Sequence, residues 1–167
     1  MPTESAASSD PSSTDEAVQR PGFLILRAFF ASFWLLQFYG KMHDGKTGTT
    51  SFENLSNWSS KLTQSFVETT PLPAFMVTPY TRGAPFVELT LGLLILVGFQ
   101  TRWALLGAAA FLVSLDLGLM LQADHDTVKS NTIILLALLW AAQWERWNVL
   151  SVDQLRRTGK LGLANKQ

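Results

Sequence analysis

The chain has 167 residues, of which 47% are hydrophobic, and its formal net charge is zero. This length suits a single domain, and the balanced charge gives no basis for nucleic-acid binding. The absence of cysteine excludes disulfides, thiolate metal sites and a cysteine redox relay.

The N-terminal stretch, residues 1–20, is rich in Ser, Thr, Pro and acidic residues. Such a composition cannot bury a core, so we expect a disordered tail. No apolar segment follows an early basic cluster, which argues against an ordinary signal peptide.

Four apolar blocks follow, and they predict four membrane spans. A bilayer core of about 30 Å requires roughly 20 helical residues. The blocks are apolar around their whole circumference, whereas a soluble bundle would need polar faces. The predicted fold is therefore an all-α, integral membrane four-helix bundle over residues 21–148, with spans at about 22–40, 84–100, 103–122 and 130–147.

The loop after the first span, about residues 41–84, is too long to be featureless. Thr50 and Glu53 have capping-box spacing, and apolar residues recur at helical intervals from Phe52 to Phe66. This pattern predicts an amphipathic helix in the first outer loop. The helix would either lie on the membrane face or cap the bundle.

The distribution of Lys and Arg indicates the orientation of the spans. The span ends on the N-terminal side carry the denser positive charge, including Arg20, Arg102 and Arg146. The positive-inside rule then predicts a multi-pass protein of the plasma (inner) membrane with both termini cytoplasmic. Residues 149–167 would form a cytoplasmic C-terminal tail.

Three ionisable residues lie within the predicted spans, where a charge costs about 2.5–3.5 kcal/mol on insertion scales. We expect Arg27 to extend to the inner headgroups. Glu88 and Asp116 are predicted to lie at similar depth in the outer third. Glu88 follows Pro85 closely, so it either complements a helix N-terminus or belongs to a site.

Further polar residues gather at the same end of the predicted bundle. Gln37, Lys41 and His43 end the first span, and Asn131 opens the fourth. We predict that Glu88 faces the interior and pairs with Lys41, because an ionised carboxylate facing lipid would be poorly solvated. The His-Asp clusters in the nearby loops have no fixed ligand spacing, so no metal site is predicted.

Several short motifs resemble the DoxX/DoxD family of small four-span membrane proteins. The resemblance covers about residues 22–145 and depends most on the pattern that includes Pro85, Glu88, Gly92 and Gly98. It implies a membrane subunit associated with oxidoreductases, similar to the small subunit of thiosulfate:quinone oxidoreductase. It also implies that the family's polar positions are Arg27, Lys41, Glu88 and Asn131.

The residues and the resemblance together suggest a subunit of a quinone-linked oxidoreductase. Glu88 and Asp116 would relay protons as catalytic residues. The expected quinone-binding residues are Lys41, His43, Gln37 and Asn131. A larger oxidoreductase subunit or a second copy of the chain is the expected partner, within the lipid bilayer. The alternative is a non-catalytic membrane anchor or scaffold for an oxidoreductase.

Overall fold

A computed structural model describes residues 11–159, and this part of the chain is helical. Three helices are long and apolar enough to cross a membrane, namely Val18–Met42, Ala74–Val97 and Thr101–Leu121. The six α-helices of the described part are α1 (Pro11–Met42), α2 (Phe52–Thr69), α3 (Ala74–Val97), α4 (Thr101–Leu121), α5 (His125–Gln143) and α6 (Val152–Thr158), with a 3-10 turn at Glu145–Trp147.

The first helix begins earlier than the composition suggested. Residues 11–20, which we expected to be disordered, belong to α1, whereas residues 1–10 lie outside the described part of the chain. Pro11 is the first described residue of this helix. Because α1 continues directly into the first predicted span, its apolar half anchors a polar start that would not fold alone.

The third helix also begins earlier than predicted, at Ala74 instead of about residue 84. Pro79 and Pro85 both lie inside it. The sequence interpretation placed Pro79 in a loop and Pro85 at the start of the span, but each proline removes only one helix hydrogen bond, and packing against neighbouring helices compensates for this loss. The helix ends at Gly98, which adopts the left-handed conformation with φ of 67°.

The predicted amphipathic helix is confirmed as α2, and it caps the other helices. It packs against α3 and α1. Its N-cap is Ser51 and not the predicted Thr50, since the Ser51 hydroxyl accepts a hydrogen bond of 3.2 Å from the backbone N–H of Asn54. Helix α4 approaches α2 closely at Gly118, where an added Cβ would lie 3.0 Å from the Phe66 ring.

The fifth helix differs from the three candidate spans. It has 19 residues, and its first turns are polar. It packs along α4 and contacts α1 more sparsely. The structure thus shows an all-helical membrane protein with three candidate spans, one fewer than the four that we predicted.

The core between the helices combines small and large side chains. The buried residues include five alanines on α4 and α5 that let the backbones approach closely. Large apolar residues on the outer faces remain exposed, as expected of helices that face lipid. The most deeply buried large side chains are Phe30, Trp34, Ile95, Leu105 and Leu138.

Arg27 is buried, with 6% of its surface exposed, so the expectation that it extends to the headgroups is wrong. Its guanidinium donates hydrogen bonds to Asn148 Oδ1 at 2.5 Å, to the Val149 carbonyl at 3.0 Å and to the Leu150 carbonyl at 2.9 Å. The planar guanidinium of arginine, with its fixed donor directions, suits these three oxygens better than the ammonium of a lysine would. Arg27 therefore holds the chain after α5 against α1.

The same segment also caps α4. Asp153 accepts hydrogen bonds of 2.8 Å from the backbone N–H groups of Gln100 and Thr101. The Asn148 amide donates to the Thr101 hydroxyl at 2.7 Å. We call residues 148–153 the C-terminal clasp, because they tie α1 to the turn between α3 and α4. This ordered segment replaces the first part of the predicted free tail.

Candidate functional site

The predicted pairing of Glu88 with Lys41 is confirmed. The Lys41 ammonium, in the last turn of α1, forms an ion pair and hydrogen bond with the Glu88 carboxylate. The two side chains are only 12% and 3% exposed. The ammonium also lies 4.8 Å from the centre of the Trp58 ring, which adds a cation–π contact. Both charges are thus removed from solvent and stabilised inside the protein.

Glu88 lies near the middle of α3, because the helix begins at Ala74. At about 1.5 Å per residue it is roughly 21 Å from the first residue of the helix and roughly 14 Å from the last. A helix dipole acts only within the first or last turn. The interpretation of Glu88 as a charge that complements a helix N-terminus is therefore wrong.

A cavity of about 510 Å³ lies beside this ion pair. Its walls come from α1, α2, α3, α4 and α5, and most of them are apolar or aromatic. Such a cavity, with a few polar groups among apolar walls, is typical of a small-molecule site. The lining residues that matter below are Trp34, Gln37, Lys41, Trp58, Met76, Tyr80, Glu88, Ser114, Leu117, Leu121 and Asn131.

Asp116 and Asn131 form a second polar pair. The Asn131 amide nitrogen donates to Asp116 Oδ1 at 2.6 Å, and Asp116 is only 6% exposed. Asn131 lines the cavity, whereas Asp116 does not. Asp116 thus orients the Asn131 amide and leaves its carbonyl oxygen as an acceptor for a bound molecule.

Tyr80 joins α3 to α4 beside the cavity. Its hydroxyl lies 2.8 Å from the hydroxyl of Ser114, which is two residues before Asp116. Tyr80 is two helical turns before Glu88, about 12 Å along the helix axis. The similar depth of Glu88 and Asp116 stays a prediction.

Of the remaining predicted site residues, Gln37 lies at the cavity and His43 does not. Gln37 lines the cavity one turn before Lys41, and its amide makes no hydrogen bond within the described part of the chain. His43 is not brought to the cavity. Its Nδ1 lies 3.2 Å from the Thr50 hydroxyl, and its ring stacks on Tyr39 with centroids 5.5 Å apart.

The sequence analysis did not identify Trp34 and Tyr80 as cavity residues. Trp34 is 1% exposed, and its indole nitrogen has no hydrogen-bond partner among the described residues. Tyr80 was missed because residues 74–83 were interpreted as loop. An unpaired buried indole N–H is costly, so it favours a ligand that supplies an acceptor.

The acidic loop residues have local roles. The backbone N–H of Lys46 and the hydroxyl of Thr47 donate to Asp44, which lowers the pKa of that carboxyl. Asp124 is the N-cap of α5, and hydrogen bonds from Thr127 lower its pKa. Both carboxylates stabilise turns at the ends of helices.

The family model described as methylamine utilisation protein MauE matches residues 20–131, about two thirds of the chain. No curated protein and no solved structure is significantly similar to the chain. All six predicted site residues lie within the matched stretch, and the C-terminal clasp lies outside it.

The assignment to the DoxX/DoxD family is therefore wrong. Two of the residues that carried it, Gly92 and Gly98, have packing roles that unrelated membrane helices share. Gly98 ends α3 in a left-handed conformation, and an added Cβ at Gly92 would lie 2.9 Å from the Leu35 side chain. Such glycines indicate that helices pack closely, and they do not indicate a particular chemical activity. The extent of the match establishes that the chain belongs to the MauE family of membrane proteins.

Proposed function

We propose that the protein is a membrane accessory component that binds the headgroup of a quinone in its cavity. The cavity of about 510 Å³, with its buried Lys41–Glu88 pair among apolar and aromatic walls, carries this proposal. A family described by methylamine utilisation supports a role beside other proteins of an oxidative system.

The polar groups of the cavity suit a ring that bears two carbonyl oxygens. The indole N–H of Trp34 and the amide of Gln37 lack partners within the described residues, so both can donate. Lys41 has three ammonium protons and uses one on Glu88. The aromatic walls provide the apolar contact that a planar ring requires.

Quinone reduction takes up two electrons and two protons and yields a quinol. The ammonium of the Lys41–Glu88 pair holds transferable protons at the cavity, so we assign the pair the delivery of one proton to a quinone oxygen, with Glu88 relaying its replacement from the aqueous side; the second proton enters from the same side. Asp116 acts through Asn131 as a positioning residue. The chain has no cysteine, so the electrons come from a redox-active partner subunit that carries its own electron carrier.

We further propose that α5 crosses the membrane as a fourth span. Its outer face exposes Ile133, Leu136 and Trp140, of which Ile133 is 72% exposed. A water-facing helix would place polar residues there. Four spans put both termini on one side, which the positive-inside rule identifies as cytoplasmic.

A non-catalytic anchor or scaffold is the second candidate. One observation favours it, namely that Lys41 and Glu88 already satisfy each other without a ligand. In that case the pair would only hold α1 against α3, as buried pairs do elsewhere.

Quinone that co-purifies with the protein separates the two candidates. The full chain, extracted in mild detergent from quinone-producing cells, should contain quinone in molar amount. Glu88→Gln and Lys41→Met should lose most of it, whereas Lys129→Met, at an exposed ion pair with Asp126, should retain it. A wild-type protein that neither carries nor takes up added ubiquinone would refute quinone binding.

A functional control addresses the anchor. Glu88→Gln should lower the quinone-dependent activity of the assembled complex while assembly stays intact. If assembly and activity both remain at the wild-type level, the anchor is the correct interpretation.

A further inference from the structure

One side of the cavity is open towards the outer surface of the helices. On α3 and α4, four residues both line the cavity and face outward: Met76 and Tyr80 on α3, and Leu117 and Leu121 on α4. Their exposed fractions are 55%, 37%, 59% and 49%. We call this opening the α3–α4 mouth.

The mouth lies between two helices that are candidate membrane spans. Helices α3 and α4 are two of the three candidate spans. Exposed apolar side chains on such helices contact acyl chains. Three of the four residues of the mouth are aliphatic or thioether side chains, and the fourth is a tyrosine. An apolar molecule can therefore pass between the cavity and the bilayer without crossing water.

The roof of the cavity, by contrast, is closed by α2. The Thr63 and Thr81 hydroxyls are 2.6 Å apart and join α2 to α3. At the α4 side, the Gln122 amide lies 3.3 Å from the hydroxyls of Ser65 and Thr69. These contacts hold α2 over the cavity.

At the mouth, a single hydrogen bond connects α3 with α4, between the hydroxyls of Tyr80 and Ser114 at 2.8 Å. It lies at the rim, about 12 Å along α3 from Glu88. A headgroup beside Glu88 thus leaves the outer part of the cavity for an apolar chain that points towards the mouth.

We propose that the cavity exchanges its ligand directly with the bilayer through the α3–α4 mouth, and that this ligand carries a long apolar chain that emerges there. The Tyr80–Ser114 hydrogen bond acts as the latch of the mouth. This inference rests on the proposed binding of a quinone headgroup, and it identifies the ligand as a lipid-soluble quinone taken from the membrane.

The test compares two quinones on the full chain in lipid nanodiscs. Decylubiquinone carries an apolar chain, and ubiquinone-0 has none. Leu117→Trp narrows the mouth, and Val113→Trp is the matched control, because Val113 is exposed one turn away on α4 but does not line the cavity. Binding rates are followed by quenching of the protein's tryptophan fluorescence, calibrated separately for each variant.

We expect Leu117→Trp to slow association of decylubiquinone by about tenfold or more and that of ubiquinone-0 by less than about twofold. Val113→Trp should change neither rate. Tyr80→Phe, which removes the latch, should speed both association and dissociation of decylubiquinone several-fold. Met76→Trp, on the opposite rim, repeats the test if Leu117→Trp does not fold.

The outcomes separate the two proposals. If the wild type binds neither quinone, the proposed function fails. If it binds both and the rim variants slow neither, or slow both equally, quinone binding stands and the α3–α4 mouth is overturned.

Discussion

Removal of one partner of the Lys41–Glu88 pair should strongly destabilise the protein. The side chains are 12% and 3% exposed, so either single substitution leaves a charge that water does not reach. Breaking a buried pair in this way costs about 3–5 kcal/mol. The two variants should not be equal, because after Glu88→Gln the ammonium keeps its contact with the Trp58 ring, 4.8 Å away. That cation–π contact offsets about 0.5–2 kcal/mol of the cost, so Glu88→Gln should destabilise the protein less than Lys41→Met.

The double variant shows how much of this cost belongs to the pair. Lys41→Met with Glu88→Gln leaves no unpaired charge, so it should cost less than the sum of the singles, with a coupling of about 2–3 kcal/mol. The assay is the free energy of unfolding in detergent micelles for the four proteins of the cycle, from denaturant titration with thermal unfolding as a check. Additivity within about 0.5 kcal/mol would show that the contact carries no coupling energy, and the reasoning from burial would then be wrong.

Three other predictions address regions away from the cavity. Arg27→Met should speed hydrogen exchange of the C-terminal clasp and cost at least about 2 kcal/mol, because it leaves buried oxygens unpaired; unchanged exchange there would refute a holding role. Hydrogen bonds from Thr127 lower the pKa of Asp124, so this carboxylate stabilises the folded state above its ordinary pKa of about 3.9, and the contribution disappears as the pH falls through the lower folded-state value. The free-energy difference between wild type and Asp124→Asn, which keeps a good N-cap residue, should therefore shrink in acid, and a constant difference would exclude this linkage. Single cysteines in place of the exposed residues Lys46 and Leu155 report topology: an impermeant thiol reagent should label the first in intact cells and not the second, and the reverse pattern would invert the proposed orientation.

The helical membrane fold was predictable because hydropathy and length dominate in lipid. The pairing of Lys41 with Glu88 was predictable for a related reason, since a carboxylate among apolar residues needs a partner and few were available. The amphipathic α2 followed from its regular spacing. These predictions depend on local pattern or on a strong energetic constraint.

The errors concern features that depend on contacts between distant residues. Pro79 suggested a loop and Pro85 a helix start, and the packing of α3 against α1 and α2 keeps both prolines within one helix. The oxygens that bind Arg27 belong to residues more than a hundred positions later. Two of them are backbone carbonyls, which every residue has, so the sequence does not show which carbonyls bind. Because the start of α3 was placed too late, Tyr80 was not predicted as a cavity residue.

The clasp has a consequence for the order of events during synthesis. Arg27 is made 121 residues before Asn148, its side-chain partner. At about 5–20 residues per second, the guanidinium waits roughly 6–24 s before the oxygens that bury it exist. During this interval α1 must keep Arg27 hydrated at one membrane surface, or hold it there against the translocon. The segment made after α5 therefore completes the first helix to insert, and a chain that stops before residue 148 would present an unpaired arginine in the membrane domain.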